Sequence, residues 1–252
     1  ALCECANRQL RQNQEYLLQA ERLSTIGKMA AMLAHEIRTP LSAIIGLTRQ
    51  LNKTSLDEKQ RSYLATLTSS SDHLLSVIND ILDYSKLESG QLRLENIRFE
   101  PRRVASDVAA FFQPKASEKS LNLLVNVESS VPTDLWGDTF RLRQILMNLL
   151  SNAIKFTDEG SIIIGVTVIK QTDDYAMLQF TVADSGVGIP EEQQEIIFEK
   201  FHQLDASVTR EHTGAGLGLA IVKDLLEMLG GSITVRNRTG GGTIFTVQLP
   251  LQ

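Results

Sequence analysis

Residues 138–157 read DTFRLRQILMNLLSNAIKFT, and this stretch decides how the rest of the chain is interpreted. Its leucines, isoleucines and methionine recur at the spacing of an amphipathic helix. Asn148, Asn152 and Lys155 follow at i, i+4 and i+7, which puts one polar stripe on that otherwise apolar helix. Amides on a half-buried face need partners, which an oxygen-bound Mg²⁺ and a phosphate beside the ammonium would supply. An ordinary solvated face is the alternative.

The sequence around this helix alternates between strand and helix patterns. Segments rich in valine and isoleucine lie at 121–127, 161–169, 175–183, 232–236 and 243–249, and helical stretches lie near 102–117, 138–156 and 216–229. This order predicts an α/β domain, an α+β sandwich whose helices cover one face of a mixed sheet. Apolar periodicity lapses near residues 89–98, which indicates a domain boundary there.

Three glycine-containing segments of this domain are candidate ligand contacts. Asp184 begins DSGVGIP after a predicted strand, and its carboxylate can accept a hydrogen bond from the exocyclic amine of a nucleotide base. Gly186 and Gly188 would let the backbone pass close to the flat face of that base. The run GAGLG at 214–218 precedes a helix, where backbone N–H groups suit a phosphate, although it matches neither the Rossmann nor the Walker pattern. The alternative for Asp184 is an ordinary turn with no ligand. The run GGGT at 240–243 fits a structural turn and a ligand contact about equally well.

The N-terminal third carries two long helical patterns. The first runs from about residue 6 to 52 and the second from Leu56 to Leu87, after which Gly90 stands in the C′ position that glycine prefers. Two such helices joined by the polar break at 52–55 make an antiparallel, all-α hairpin with no closed core of its own. We therefore expect a homodimer in which two hairpins form a four-helix bundle.

The first of these helices contains AHEIRTPL, residues 34–41. His35 and Thr39 lie four apart and share a helix face, with Glu36 beside them. Pro40 removes a helical hydrogen bond, and a bend there can expose a reactive side chain. A neutral imidazole can accept a phosphoryl group, and an adjacent carboxylate can fix its tautomer and take its proton. The alternative is a surface histidine on a proline-kinked helix.

Composition and charge narrow the function classes. A formal charge of −5 provides no basic footprint for nucleic acid, which is therefore not an expected partner. Cys3 and Cys5 are too few and too close for a disulfide framework or a four-ligand zinc site. The sequence has no apolar run of the ~18–20 residues that span a bilayer, and its polar start lacks the features of a signal peptide. These features are compatible with a piece cut from a longer protein.

In their order and spacing these segments resemble the boxes of bacterial sensor histidine kinases. HEIRTPL at 35–41 is similar to the H box, NLLSNAIKFT at 148–157 to the N box, DSGVGIP at 184–190 to the G1 box, FEKF at 198–201 to the F box and GAGLGLAI at 214–221 to the G2 box. The run at 240–243 resembles the family's final glycine box. The resemblance covers Leu23 to Leu249 and is greatest to the core of a hybrid sensor kinase, whose receiver domain would lie beyond this chain.

The resemblance implies a protein-histidine kinase that uses ATP and Mg²⁺. His35 would be the phosphoacceptor and Glu36 the neighbouring base, while Thr39 would orient water when a partner is dephosphorylated. Asn148 would bind the Mg²⁺, and Asp184 would read adenine.

The resemblance also implies the other nucleotide contacts. They are Asn152, Lys155, Phe156, Gly186, Gly188, Ile189, Phe198, Arg210, Gly214, Gly216, Leu217, Gly218 and Thr243. Phe198 and Phe201 would anchor a mobile lid that runs to Gly218, and Arg210 would reach the γ-phosphate from that lid.

A domain plan and partners follow from the same resemblance. Residues 1–22 would form an N-terminal signalling helix, 23–90 the dimerisation and phosphoacceptor domain, 91–97 a linker and 98–252 the catalytic ATP-binding domain. The implied partners are a second copy of the chain and a receiver domain, in the same longer chain or separate, with another histidine kinase as a further candidate. The implied location is the cytoplasmic part of a longer inner-membrane sensor.

Two lid positions depart from the family pattern and leave a second function open. Thr213 stands for the usual first glycine and Ala215 for the usual hydroxyl residue, whose loss removes a phosphate contact worth about 1 kcal/mol. A weak or silent kinase that regulates another kinase, or a protein that acts mainly as a phosphatase, is therefore the alternative. ATPases of the gyrase, Hsp90 and MutL kind are disfavoured, because they carry a water-activating glutamate where this chain has Asn148, and an amide cannot act as a base.

Overall fold

Residues 36–90, 92–172, 175–200, 202 and 216–252 are described by the structure, which is a computed structural model. The chain divides into two units, Ala1–Leu92 and Arg93–Gln252, called here the helical unit and the sheet unit. The prediction of a helical region followed by an α/β domain is confirmed. Within the described ranges, no helix is both long enough and apolar enough to cross a membrane.

Residues 36–90 of the helical unit form a hairpin of two helices. Helix α1 covers 36–51 of the described chain, and α2 spans Glu58–Glu88. Helix α2 begins at a capping box, in which the Asp57 carboxylate accepts from the Gln60 N–H (2.8 Å) and the Gln60 side chain accepts from the Asp57 N–H (3.0 Å). Gly90 follows the helix at φ 63°, which confirms the predicted glycine stop.

The hairpin closes one face with its own side chains. Leu41 and Ile45 of α1 pack against Ile78 of α2, with Leu75 and Leu82 beside them. Large apolar side chains elsewhere on the hairpin are exposed, namely Ile37, Ile44, Leu47, Leu51, Tyr63, Leu67, Leu74 and Ile81. The two helices therefore leave a substantial apolar surface that they do not cover.

Among its described residues, the sheet unit has three helices and a five-stranded sheet. The helices are α3 Pro101–Glu118, α4 Thr139–Lys155 and α5 Gly218–Met228, and the strands are β2 Asn122–Val127, β4 Ser161–Gln171, β5 Ala176–Asp184, β6 Ser232–Asn237 and β7 Thr243–Leu251. The strand order is β2-β4-β5-β7-β6, with β2 parallel to β4 and the other neighbours antiparallel. The predicted mixed sheet is confirmed.

The described part of the sheet unit also contains two short strands and two turns. Strand β1, Ile97–Phe99, pairs antiparallel with β3, Leu135–Gly137, and the sequence did not predict this pair because three residues are too few to show an alternation. Single 3₁₀ turns lie at Glu191–Gln193 and Ile196–Phe198.

The core lies between the three helices and one face of the sheet. Alternate residues of β5 are buried, among them Phe180 and Val182, because successive side chains of a strand point to opposite faces. Helix α4 contributes Leu142, Ile145, Leu146, Leu149, Leu150, Ala153 and Ile154 to the same core. The alternation continues to Asp184, so this carboxylate lies on the face that the helices cover.

Candidate nucleotide-binding site

Asp184 is a buried carboxylate at the end of β5, and only 3% of it is exposed. Its Oδ1 accepts from the Gly186 N–H (2.9 Å) and from the Thr243 N–H (3.1 Å), and neither bond uses Oδ2. Burial raises the pKa of the Asp184 carboxyl, whereas the two N–H donors and the charge of Arg238 act in the opposite direction. A carboxylate held in this way can present its second oxygen to an amine of a ligand.

Glycines let the backbone pass closely around Asp184. A Cβ at Gly186 would clash with the carbonyl oxygen of Phe156, and a Cβ at Gly242 would clash with the carbonyl oxygen of Asp184. Gly242 also has φ 98°, a conformation that side chains disfavour. The glycine run before Thr243 thus has a packing role, since it brings the Thr243 N–H to the carboxylate.

Asn237 fixes the Gly188–Ile189 segment. Its Nδ2 donates to the Ile189 carbonyl (2.8 Å) while its Oδ1 accepts from the Ile189 N–H (2.9 Å), and Gln194 Nε2 donates to the same carbonyl (3.2 Å). Asn237 also lines a pocket of ≈ 330 Å³ with Gly188, Ile189 and neighbouring residues of the β6–β7 turn. The sequence did not indicate Asn237 or Gln194, because a lone amide far along the chain carries no recognisable spacing.

The polar stripe of α4 meets the first residue of α5. Asn148, Asn152 and Lys155 are half-buried along α4. A Cβ at Gly218, where α5 begins, would lie 3.5 Å from Asn148 Oδ1, an ordinary contact distance, so this helix starts directly beside the amide. The N–H groups of a helix start are available to an anion, which here would lie next to the amide oxygen.

Lys155 is the cation of this stripe. Burial lowers the pKa of the Lys155 ammonium, and its Nζ lies 4.8 Å from the centre of the Phe156 ring. A bound anion would favour the charged form that burial disfavours. Phe156 itself is partly exposed and therefore accessible to a ligand.

The glycine-rich G2 segment is described from residue 216 onward. Gly216 has φ 69° and Leu217 is fully buried, so the chain enters α5 through a fixed turn. Phe198 packs edge-to-face on Phe245, with 6.5 Å between ring centres, and this contact holds the second 3₁₀ turn against β7.

Other sequence-predicted site residues are not placed in this arrangement by the described residues. His35, Phe201, Arg210 and Gly214 lie outside the described residues, as do Thr213 and Ala215 of the lid. Glu36 and Thr39 are exposed on α1 of the helical unit.

The donor set of α4 fits Mg²⁺ that arrives with a nucleotide. Over the described ranges there is no group of three or more acidic, histidine or cysteine side chains that could hold a metal ion. Mg²⁺ commonly keeps several waters and binds through one or two protein oxygens plus substrate phosphates. A single amide oxygen at Asn148, next to a helix start and a lysine, is compatible with that mode.

Both units match known domain families. Residues 25–90 match the His Kinase A (phospho-acceptor) domain, and residues 137–252 match the Histidine kinase-, DNA gyrase B-, and HSP90-like ATPase family. The chain is 40% identical to the autoinducer 2 sensor kinase/phosphatase LuxQ of Vibrio cholerae, over 96% of this chain and 28% of that protein. It is 43% identical to the sensor protein GacS of Pseudomonas syringae, over 93% of this chain and 26% of that protein. The chain thus spans about a quarter of the length of the curated relatives it matches.

Solved structures give the same relationship. Full-length ShkA in complex with AMPPNP superposes with a TM-score of 0.72 at 37% identity, covering 90% of this chain and 46% of that one. The histidine kinase AdeS of Acinetobacter baumannii superposes with a TM-score of 0.56 at 27% identity, covering 85% of this chain and 96% of that one.

Proposed function

Because the chain belongs to the sensor histidine kinases through both of its matched domains, we propose that its sheet unit binds Mg-ATP and that the γ-phosphoryl group is transferred to His35. The observation that carries this proposal is the set of polar groups around β5, α4 and α5. The buried Asp184 carboxylate, whose Oδ1 already accepts hydrogen bonds, suits the adenine amine. The half-buried Asn148 amide beside the start of α5 suits the metal ion, and Lys155 suits the phosphates.

In this proposal each group has a chemical task. Asp184 accepts a hydrogen bond from the adenine amine, and Asn152 and Lys155 hold the phosphates. Asn148 would hold the Mg²⁺ that accompanies the nucleotide, and this ion would supply positive charge against the charge that spreads over the phosphoryl group. An imidazole nitrogen of His35 bonds to the γ-phosphorus as the bond to the β-phosphate oxygen breaks, ADP leaves, and Glu36 takes the imidazole proton.

The helical unit supports a kinase over a gyrase-like ATPase. The match of residues 137–252 includes both kinds of protein, so it cannot separate them. The match of residues 25–90 supports the kinase, because that family is described as a phospho-acceptor domain.

We also propose the partners and the domain limits. A homodimer would cover the exposed apolar side chains of the hairpin. The phosphoryl group would pass to an aspartate of a receiver domain, as the hybrid architecture of the family suggests. Residues 1–22, 23–90, 91–97 and 98–252 remain the proposed signalling helix, phosphoacceptor domain, linker and catalytic domain, in the cytoplasmic part of a longer inner-membrane sensor.

The test is labelling of the 252-residue chain with γ-labelled ATP and Mg²⁺. We expect acid-labile label on the wild type and none on His35→Gln, although His35→Gln should bind Mg-ATP as the wild type does. Asn148→Ala should lose the label and bind Mg-ATP at least about ten-fold more weakly, since it removes a metal ligand. Equal labelling of wild type and His35→Gln would refute the assignment of the acceptor.

A second function is favoured by the lid residues Thr213 and Ala215. If the wild type binds Mg-ATP without becoming labelled, the chain is better described as a regulatory partner of another kinase or as a phosphatase. If it neither binds nucleotide nor becomes labelled, both functions fail.

A further inference from the structure

Helix α3 ends in a motif that fixes the direction of Lys119. The Ser120 N–H donates to the Ser117 carbonyl (3.0 Å) and the Leu121 N–H to the Ala116 carbonyl (2.9 Å), the two bonds of a Schellman motif. Ser120 has φ 58°, which turns the chain sharply at this point. Lys119 is the C-cap residue of the helix.

Helices α3 and α4 run parallel, so their C-terminal ends lie together. Arg143 Nη2 contacts Asp107 Oδ2 at 2.6 Å, and Lys119 Nζ donates to the Ile154 carbonyl at 3.0 Å. The contacting residues are 36 residues apart in sequence at the first contact and 35 at the second. A nearly constant separation means that the two helices run in the same direction. Parallel dipoles place two partial negative charges at the same end, where a cation is stabilising.

The Lys119 ammonium caps the end of α4. Its Nζ donates to the carbonyl oxygens of Ile154 (3.0 Å), Lys155 (3.4 Å) and Thr157 (3.1 Å), and it pairs with Asp158 Oδ1 (3.2 Å). These carbonyls lie in the last turn of α4 and just beyond it, where a helix leaves its acceptors unpaired. The Lys119 side chain is 31% exposed, so water competes only in part for these bonds.

The turn that follows α4 is joined to the Asp184 segment. Ser185 Oγ donates to the Glu159 carbonyl (3.0 Å) and accepts from the Ser161 N–H (2.9 Å). Gly186 packs directly on the Phe156 carbonyl. In sequence, Phe156 lies between Lys155 and Thr157, whose carbonyls accept from Lys119. A shift of this turn would therefore move Lys155 and Gly186 together.

We infer that Lys119 is a positioning residue for the nucleotide site. Its ammonium fixes the end of α4, which carries Asn152 and Lys155, against the Asp184–Gly186 segment. This inference rests on the proposed function, because it assigns those residues to the nucleotide. Lys119 has no direct contact with the ligand in this scheme, and its effect is on binding.

The test compares four variants of the 252-residue chain with the wild type. Lys119→Met removes the ammonium, and Lys119→Arg keeps a cation of similar reach. Lys115→Met is the matched control, since it removes the same charge from an exposed position one turn earlier on α3. Lys119→Met combined with Ser120→Gly offsets a loss of stability by relieving the positive φ, without restoring the ammonium.

We expect Lys119→Met to raise the Kd for Mg-ATP about ten-fold and to speed amide hydrogen exchange in residues 154–160. Lys119→Arg should stay within about three-fold of the wild-type Kd, and Lys115→Met should match the wild type. The double variant should melt at a higher temperature than Lys119→Met and still bind about ten-fold more weakly than the wild type. If Lys119→Met does not fold, the double variant carries the comparison.

Two results would overturn the inference. One is a wild-type Kd in the Lys119→Met variant. The other is a Kd that recovers together with the melting temperature in the double variant, because the role of Lys119 would then be stability alone. A wild type that does not bind Mg-ATP would instead refute the proposed function, and this inference with it.

Discussion

The helical unit and the sheet unit bury their apolar side chains to very different extents. In the sheet unit, Phe180 and Leu149 lie inside a core that the helices and the sheet enclose. In the helical unit a small cluster surrounds Ile78, while Leu47 is 60% exposed. A sheet covered by helices can close a core within one chain, whereas two helices cover only one face of each other. Among the described residues, the sheet unit therefore encloses its core, whereas the hairpin at 36–90 leaves apolar side chains exposed that the proposed dimer would cover.

The largest expected effect is on the core of the sheet unit. Phe180→Ala removes a wholly buried ring and should lower the free energy of unfolding by about 3–5 kcal/mol, because a cavity remains where the ring was. The single tryptophan of the chain, Trp136, lies on β3, so its fluorescence in a denaturant titration reports on this unit. Ile169→Ala, at an exposed strand position, is the control and should change the same free energy by less than about 0.5 kcal/mol. Equal effects of the two changes would contradict a closed core.

The next effect concerns the partner surface of the helical unit. Leu47→Asp should weaken dimerisation by about 3 kcal/mol, since it places an unpaired carboxylate in the proposed interface. Sedimentation would then show monomers at a concentration where the wild type is dimeric, with the Kd for Mg-ATP unchanged. Gln50→Asp adds the same charge at an exposed polar position of α1 and should leave the dimer intact. A dimer that tolerates Leu47→Asp would place the interface elsewhere.

Periodicity predicted the two units, but it did not predict the contacts between distant segments. The described strands and helices of the sheet unit agree with the predicted ranges to within a few residues, because burial on one face imposes a regular spacing. The predicted signalling helix at 1–22 and the start of the first long helix lie outside the described residues. The polar stripe of α4 was visible for the same reason. The contacts of Lys119 and Asn237 were not predicted, since these side chains bind backbone atoms 35 to 48 residues away and a single side chain has no period. The pairing of β1 with β3 was not predicted, because strands of three residues are too short to show an alternation of apolar and polar residues.

A smaller effect is the pH dependence of the stability of the helical unit. Burial, and then the charge of Asp83, raises the pKa of Asp80 in α2 from 3.8 to about 6. The folded hairpin therefore holds this proton more tightly than the unfolded chain, so stability is lost as the pH rises from about 4 to 6 and is not recovered above that range. Asp80→Asn should stabilise the helical unit at pH 7–8 by about 1–2 kcal/mol, allowing for solvent screening, and should have no effect below about pH 4. Thermal unfolding at the two pH values measures this, and an equal gain at both would show that the charge is not the cause.

The smallest effect is at the end of α3 in the sheet unit. Ser120 adopts φ 58° in the Schellman motif, a conformation that costs a residue with a Cβ about 1 kcal/mol relative to glycine. Ser120→Gly should therefore raise the free energy of unfolding by somewhat less than about 1 kcal/mol, because glycine also gains entropy in the unfolded chain. Ser117→Gly is the control; it introduces glycine inside the same helix and should lower the free energy by about 0.5–1 kcal/mol. Both changes remove a hydroxyl, so opposite changes in the free energy of unfolding would point to backbone conformation as the cause. The stability of the segment that holds Lys119 would then be set by the conformation at the end of α3.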